Sequence, residues 1–110
     1  MAKAATTNRR ERIRPVVPKL VELTEKLVYD DVWERPGLSK RDRSLITIAA
    51  LVATYRPEQL VGHLNRGLAN GLTQEEISEA ITHLAIYAGW PAAMTAAQIA
   101  TDVFVDGRKE

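Results

Sequence analysis

The sequence contains no cysteine. Disulfides, thiolate metal sites and any redox cycle run on a thiol of this chain are thereby excluded. Aromatic residues are sparse at 5%, and none interleaves with the arginines near the N-terminus, as a platform for stacked bases would require. Charge of one sign is also missing. Fifteen Lys and Arg offset 14 Asp and Glu, and a formal net charge of +1 argues against nucleic acid or an acidic lipid surface as an obligatory partner. The longest apolar run, around residues 45–53, is far short of the ~20 residues that span a bilayer. Residues 1–15 have no apolar core of the kind a secretory signal uses, so a cytoplasmic protein without membrane contact is expected. Phosphate-binding glycine loops, serine elbows and dinucleotide fingerprints are absent. The two histidines, His63 and His83, fall outside any H-x-x-x-H spacing, so no metal site is expected.

What is present is a helical pattern. A chain of 110 residues makes one domain, and at 45% hydrophobic it is expected to leave apolar surface for contacts between subunits. Residues 1–14 read as a basic arm that is frayed or ordered by a partner, residues 15–105 as the domain, and residues 106–110 as a polar tail. Leu20, Val21, Leu23, Leu27 and Val28 recur at three and four, which predicts a helix over 16–29. A connector anchored by Trp33 follows, with at most one helical turn, and closes at Pro36 and Gly37. Ser39 and Asp42 open a helix to about 55 that is apolar on nearly every face and so expected to be buried all round. Pro57 starts the next, which ends at Asn70 with Gly71 as its left-handed stop. Thr73 and Glu76 form a capping box for a helix over 74–88. Gly89, Trp90 and Pro91 break it before a last helix over 92–104. No segment alternates as a strand would, so the fold class is all-α, with about six helices.

Within this pattern His63 is the residue to examine for chemistry. It lies among Leu60, Val61, Leu64 and Leu68, with Arg66 three residues on and sharing its face. A neutral imidazole can take or give a proton near pH 7, and a guanidinium can hold a carboxylate. The plainer alternative is a histidine hydrogen-bonded to a neighbouring helix with Arg66 in solvent. Gly62 and Gly67 flank His63 inside the helix, where each weakens it by ~1 kcal/mol relative to Ala, so close packing or access to a ligand is implied. His83, four residues from both Glu79 and Tyr87, reads as a structural surface residue. Arg41 and Arg43, with Lys40 and Asp42, form a charged cluster at the start of the apolar helix.

These residues also fall into an order that resembles a known family. Arg35-Pro36-Gly37, Arg43-Ser44-Leu45, His63, Asn70-Gly71 and Tyr87-Ala88-Gly89-Trp90-Pro91 are similar to the ordered motifs of the carboxymuconolactone decarboxylase family, over about residues 28–105. This group has the alkylhydroperoxidase-like helical fold. The resemblance implies a homo-oligomer, trimer or hexamer, and a decarboxylase (lyase) of aromatic compound catabolism, acting without cofactor on a small carboxylated lactone or related enolisable acid. By that resemblance His63 and Arg66 are the catalytic pair, and Arg43, Arg35, Trp33, Asn70, Tyr87 and Trp90 are substrate-binding. The family's peroxidase branch uses a C-x-x-C pair whose positions here are Arg56 and Gln59, which disfavours that activity. The decarboxylases commonly carry an arginine two residues after the histidine; here that residue is Asn65 and the arginine is Arg66. A non-catalytic small-molecule binder on the same fold, with Trp33, Tyr87 and Trp90 lining its pocket, is the alternative.

Overall fold

Several helix ends in this chain have a local cause. The computed structural model describes residues 8–109, so the expectations for residues 1–7 of the arm and for Glu110 lie outside the described residues. Contacts divide the chain into two compact units, the division falling after Leu38.

In the first unit the described part of the basic segment is helical. Residues Asn8–Ile13 form α1. Arg10 is buried with its guanidinium 4.9 Å from the centre of the Tyr29 ring, and Arg14 bridges Glu11 at 2.5 Å and Glu25 at 2.7 Å. Tyr29 in turn lies 5.9 Å from Trp33, ring centre to ring centre. A cation over a ring and a shared arginine thus fold the arm onto the next helix. That helix, expected over 16–29, starts at Pro18, because a residue before proline is held out of the α region and Val17 sits at φ −130° and ψ 62°. Only Pro18–Leu23 (α2) is α-helical. Thr24–Tyr29 widens into a π turn, with the Asp30 N–H donating to the Glu25 carbonyl at 2.9 Å, an extra residue per turn that a 3.6-residue period cannot reveal. The short 3-10 turn Val32–Glu34 is the single turn expected in the connector.

The second unit holds four helices: α3 (Lys40–Ala53), α4 (Pro57–Ala69), α5 (Gln74–Tyr87) and α6 (Trp90–Phe104). Ser39 caps α3 by accepting the Asp42 N–H at 3.0 Å, while the Asp42 carboxylate turns to Arg41 instead of closing a capping box. At the end of α3, Tyr55 stands in the left-handed region at φ 56°, its N–H on the Val52 carbonyl and the Arg56 N–H on that of Leu51. The end of α4 repeats this geometry with a residue suited to it. Gly71 has φ 107°, its N–H meets the Leu68 carbonyl, and the Leu72 N–H meets that of Gly67 at 2.9 Å. Thr73 and Glu76 make the expected reciprocal capping box on α5. The last helix begins at Trp90, two residues before the expected start, because Gly89 at φ 108° serves as its N-cap and Pro91 is tolerated in a first turn.

Pairing is α3 on α4, α5 on α6, and each pair on the other. The core is built from Ile48 and Val52 of α3, Leu60, Val61 and Leu64 of α4, Ile77 and Ile81 of α5, and the small residues Ala93, Ala96 and Ala100 of α6. Each fully buried Leu or Ile stabilises the fold by ~1.5–3 kcal/mol, and the alanines let α6 approach closely. The expected all-round burial of α3 does not occur within the chain: Ser44, Ile48 and Val52 are buried, while Ile46 is 56% exposed. Gly67 is explained by packing rather than ligand access, since a Cβ there would meet Leu72 Cδ1 at 2.9 Å and Ile48 Cδ1 at 3.1 Å. Among the described residues there is no strand, and no helix is long and apolar enough to cross a membrane.

Candidate functional site

The helix that carries His63 is amphipathic with a buried stripe of Leu60, Val61, Leu64 and Gly67. His63 and Arg66 lie at the edge of that stripe and both are half-buried. The imidazole keeps its Nδ1 away from water. Burial, and after it the positive charge of Arg66, pull the His63 pKa from 6.5 down to about 4. Both causes penalise the imidazolium, so the ring is neutral at pH 7. A titratable group perturbed by desolvation and one specific neighbouring charge is what a proton-handling site looks like.

Arg43 lies in the first turn of α3. It is half-buried with its Nε screened from water. The next residue, Ser44, is fully buried and accepts a 3.0 Å hydrogen bond from the Asn70 side-chain amide. That bond ties the end of α4 to the start of α3, so the helices run antiparallel and Arg43 and Arg66 stand at the paired ends. The Asn70 Nδ2 is thus held by Ser44. Arg41, one residue before Asp42, is held by that carboxylate and by Glu76 of α5.

The remaining residues named from sequence lie on other elements. Trp33 is half-buried against Tyr29 and Arg35 is exposed, both in the first unit. Tyr87 and Trp90 are 76% and 65% exposed at the junction of α5 and α6. Tyr87 stacks on His83 with ring centres 4.9 Å apart. Two features were not anticipated. His83 lines an open groove of about 680 Å³ between α3 and α5, floored by Leu45, Ala49, Ala80 and Leu84 and edged by Glu76 and Glu79. His63 is not part of its lining. Asn65 donates its amide to the Val61 carbonyl at 3.0 Å and to the carbonyls of Arg108 and Lys109 at 2.9 and 3.3 Å, clasping the tail beyond α6 onto α4. The spacing of His83 to Tyr87 pointed to their pairing, whereas a clasp across more than 40 residues leaves no local signal. Among the described residues no three His, Asp or Glu side chains converge as a metal cage would need.

A neutral, half-buried imidazole next to a guanidinium, on a four-helix unit whose motifs fall in this order, defines the class. The chain belongs to the carboxymuconolactone decarboxylase family, whose model matches residues 18–102. It is 43% identical over 81 residues to a 4-carboxymuconolactone decarboxylase of Acinetobacter baylyi, a match covering 74% of this chain and 60% of that protein. It is 36% identical over 75 residues to a nitrosuccinic acid decarboxylase of Metarhizium robertsii, covering 68% of this chain and 52% of that one. An uncharacterized 15.0 kDa protein of Paracoccus denitrificans is 29% identical over 102 residues, 91% of this chain and 74% of its own length. The chain thus spans little more than half the length of the two decarboxylases it matches.

Proposed function

We propose that this protein is a cofactor-independent carboxy-lyase for a small carboxylated lactone or related enolisable acid, with His63 as its proton carrier and Arg66 and Arg43 as its carboxylate clamp. The observation that carries the reading is the neutral, half-buried imidazole of His63 beside Arg66. The relatives add that, by their names, one decarboxylates a lactone acid and the other a nitro acid. A lactone or a nitro group is an electron sink. In such an acid the bond between carbon and the departing carboxylate breaks heterolytically, carbon dioxide leaves, and the electron pair passes into the sink. A proton must then be delivered to carbon.

The His63 pKa bears directly on that last step. An imidazole held near pKa 4 carries no proton to donate at pH 7. A bound polycarboxylate changes both sides of the balance, because its charge offsets that of Arg66 and attracts a proton to the ring. Substrate binding thereby loads the imidazole beside the carbon that will need the proton. Arg66 and Arg43 orient the carboxylate that is retained and stabilise charge that develops on the sink. Within the second unit Asn70, Tyr87 and Trp90 complete the proposed substrate-binding set, Asn70 by fixing the end of α4 against Ser44.

The test is carbon dioxide release from 4-carboxymuconolactone and from nitrosuccinate by the purified chain, with His63→Ala alongside. Loss of turnover in a variant of unchanged helicity supports the assignment. A His63→Ala protein as active as the parent would sink it. Proton uptake from a weakly buffered solution on adding a non-reacting dicarboxylate tests the loading step separately.

A further inference from the structure

The chain has three asparagines, and Asn70 alone precedes a glycine, Asn8 and Asn65 each preceding an arginine. The side-chain amide of an asparagine can be attacked by the main-chain nitrogen of the next residue. That nitrogen bonds to Cγ, the bond from Cγ to Nδ2 breaks, and ammonia leaves with the proton the main-chain amide gives up. Water then opens the five-membered imide. Attack of water at Cγ gives aspartate, and attack at the main-chain carbonyl gives isoaspartate, in which the chain runs through Cγ. A glycine has no Cβ to crowd its nitrogen, so the ring closes most readily at an Asn-Gly pair.

The fold holds these two groups apart. Asn70 has ψ 4°, which sets the Gly71 nitrogen nearly eclipsed with the nitrogen of Asn70 itself and turned away from its Cβ. The Gly71 N–H donates to the Leu68 carbonyl at 3.2 Å. The leaving nitrogen, Nδ2, donates to Oγ of the fully buried Ser44 at 3.0 Å. Ring closure needs Cγ brought onto the Gly71 nitrogen, and that movement breaks both bonds. The corner is latched but not sealed. Gly71 is exposed, Asn70 is half-buried, and a Cβ built on Gly71 would meet open space. Water therefore reaches the imide whenever the end of α4 opens locally.

We propose that Asn70 is a site of spontaneous modification, latched by Ser44 and converted to aspartate or isoaspartate when the tie between α3 and α4 opens. Either product removes the bond from Nδ2 to Ser44 Oγ, because neither retains the amide. Isoaspartate also adds a methylene to the main chain just before Gly71, which shifts the residue whose φ of 107° ends α4. Modification thus loosens the joint at which α4 ends and α3 begins. A fall in turnover follows from this only on the roles proposed above for Arg43 and Arg66, whereas the conversion of Asn70 stands apart from them.

The purified chain is aged at mildly alkaline pH, folded in one sample and unfolded in urea in another, then cut with trypsin. No Lys or Arg lies between Arg66 and Arg108, so Asn70 is the one asparagine of the peptide 67–108, and the exchange of its NH₂ for OH is read by mass spectrometry. In the unfolded chain Asn70 is converted well ahead of Asn65, and in the folded chain it is converted roughly tenfold or more slowly than in the unfolded one. Folded Ser44→Ala ages faster than the folded parent by roughly five- to tenfold, as loss of one hydrogen bond implies. Circular dichroism checks that this variant is folded; if it is not, the folded parent in rising urea below its unfolding transition takes its place, and conversion accelerates with urea. An unfolded chain that keeps Asn70 overturns the proposal, as does a folded parent that ages as fast as the unfolded chain. A Ser44→Ala protein, or a parent in urea, that ages at the rate of the folded parent overturns the latch. Unfolded Gly71→Ala converts more slowly than the unfolded parent, and equal rates there would overturn the attack by the residue 71 nitrogen. Carbon dioxide release is measured on separate aliquots, so a chain without turnover sinks the proposed reaction and leaves these rates to decide the modification.

Discussion

The two histidines of this chain stand in opposite settings. His63 on α4 is half-buried, hides its Nδ1 from water and has its pKa pulled down by burial and by Arg66. His83 on α5 is exposed, stacks on Tyr87 and edges a groove whose charged residues are Glu76 and Glu79. An anion is attracted to Arg66 in the first setting and meets carboxylates in the second. On the proposed reading the same side chain is suited to handing a proton to carbon beside a bound carboxylate in one place and to a surface contact in the other. What separates them is the loss of water and the sign of the nearest charge, not the residue type.

Several measurements can break or sharpen this contrast. The largest expected effect is on turnover: His63→Ala lowers kcat by ~10²–10⁴-fold, the usual contribution of a positioned acid or base, while His83→Ala leaves kcat within about twofold. Equal losses in the two variants would remove the distinction. Arg66→Met comes next, raising KM for a carboxylated substrate by roughly tenfold or more, as loss of a charge-assisted hydrogen bond implies. It also lets the His63 pKa rise, which proton NMR of the ring can follow.

The third effect is on stability. The folded-state pKa of His63 lies at about 4, below its ordinary value of 6.5. The unfolded chain therefore binds the proton more readily between those values. Stability from this group is complete above about pH 6.5 and is lost as pH falls toward 4, by on the order of 3 kcal/mol. Denaturant melts of His63→Gln should show a flatter pH dependence in that window than those of the parent. The smallest effect is on the surface pair itself. Tyr87→Ala removes the ring stacked on His83, and at so exposed a site the change in melting free energy is expected within ~0.5 kcal/mol.

The order of helices was legible in the residues, and so was the location of His63. Thr73 with Glu76, Ser39 before α3, Pro57 at the start of α4 and Gly71 at its end each act through bonds closed within a few residues. Sequence spacing is a sufficient guide to those. The start of the last helix was missed by two residues because Gly89 serves as cap as well as break. The π turn over Thr24–Tyr29 was missed because one extra residue per turn leaves no mark on an apolar period. At the site, the pairing of His63 with Arg66 follows from helical spacing alone. The role of Gly67 was left open between packing and access, and Leu72 and Ile48 decide it from outside the helix.

By itself the sequence determined that the protein is helical, where its helices are capped, that thiol chemistry is excluded and that one histidine shares a face with an arginine. These are matters of composition and of neighbours within one turn. Only the tertiary structure decided that this histidine is half-buried and neutral, that Asn70 is held by Ser44, that Asn65 clasps the tail and that His83 edges an acidic groove. Burial, local charge and hydrogen bonds across 26 or 43 positions depend on which helix faces meet, and that is set by packing the whole unit at once.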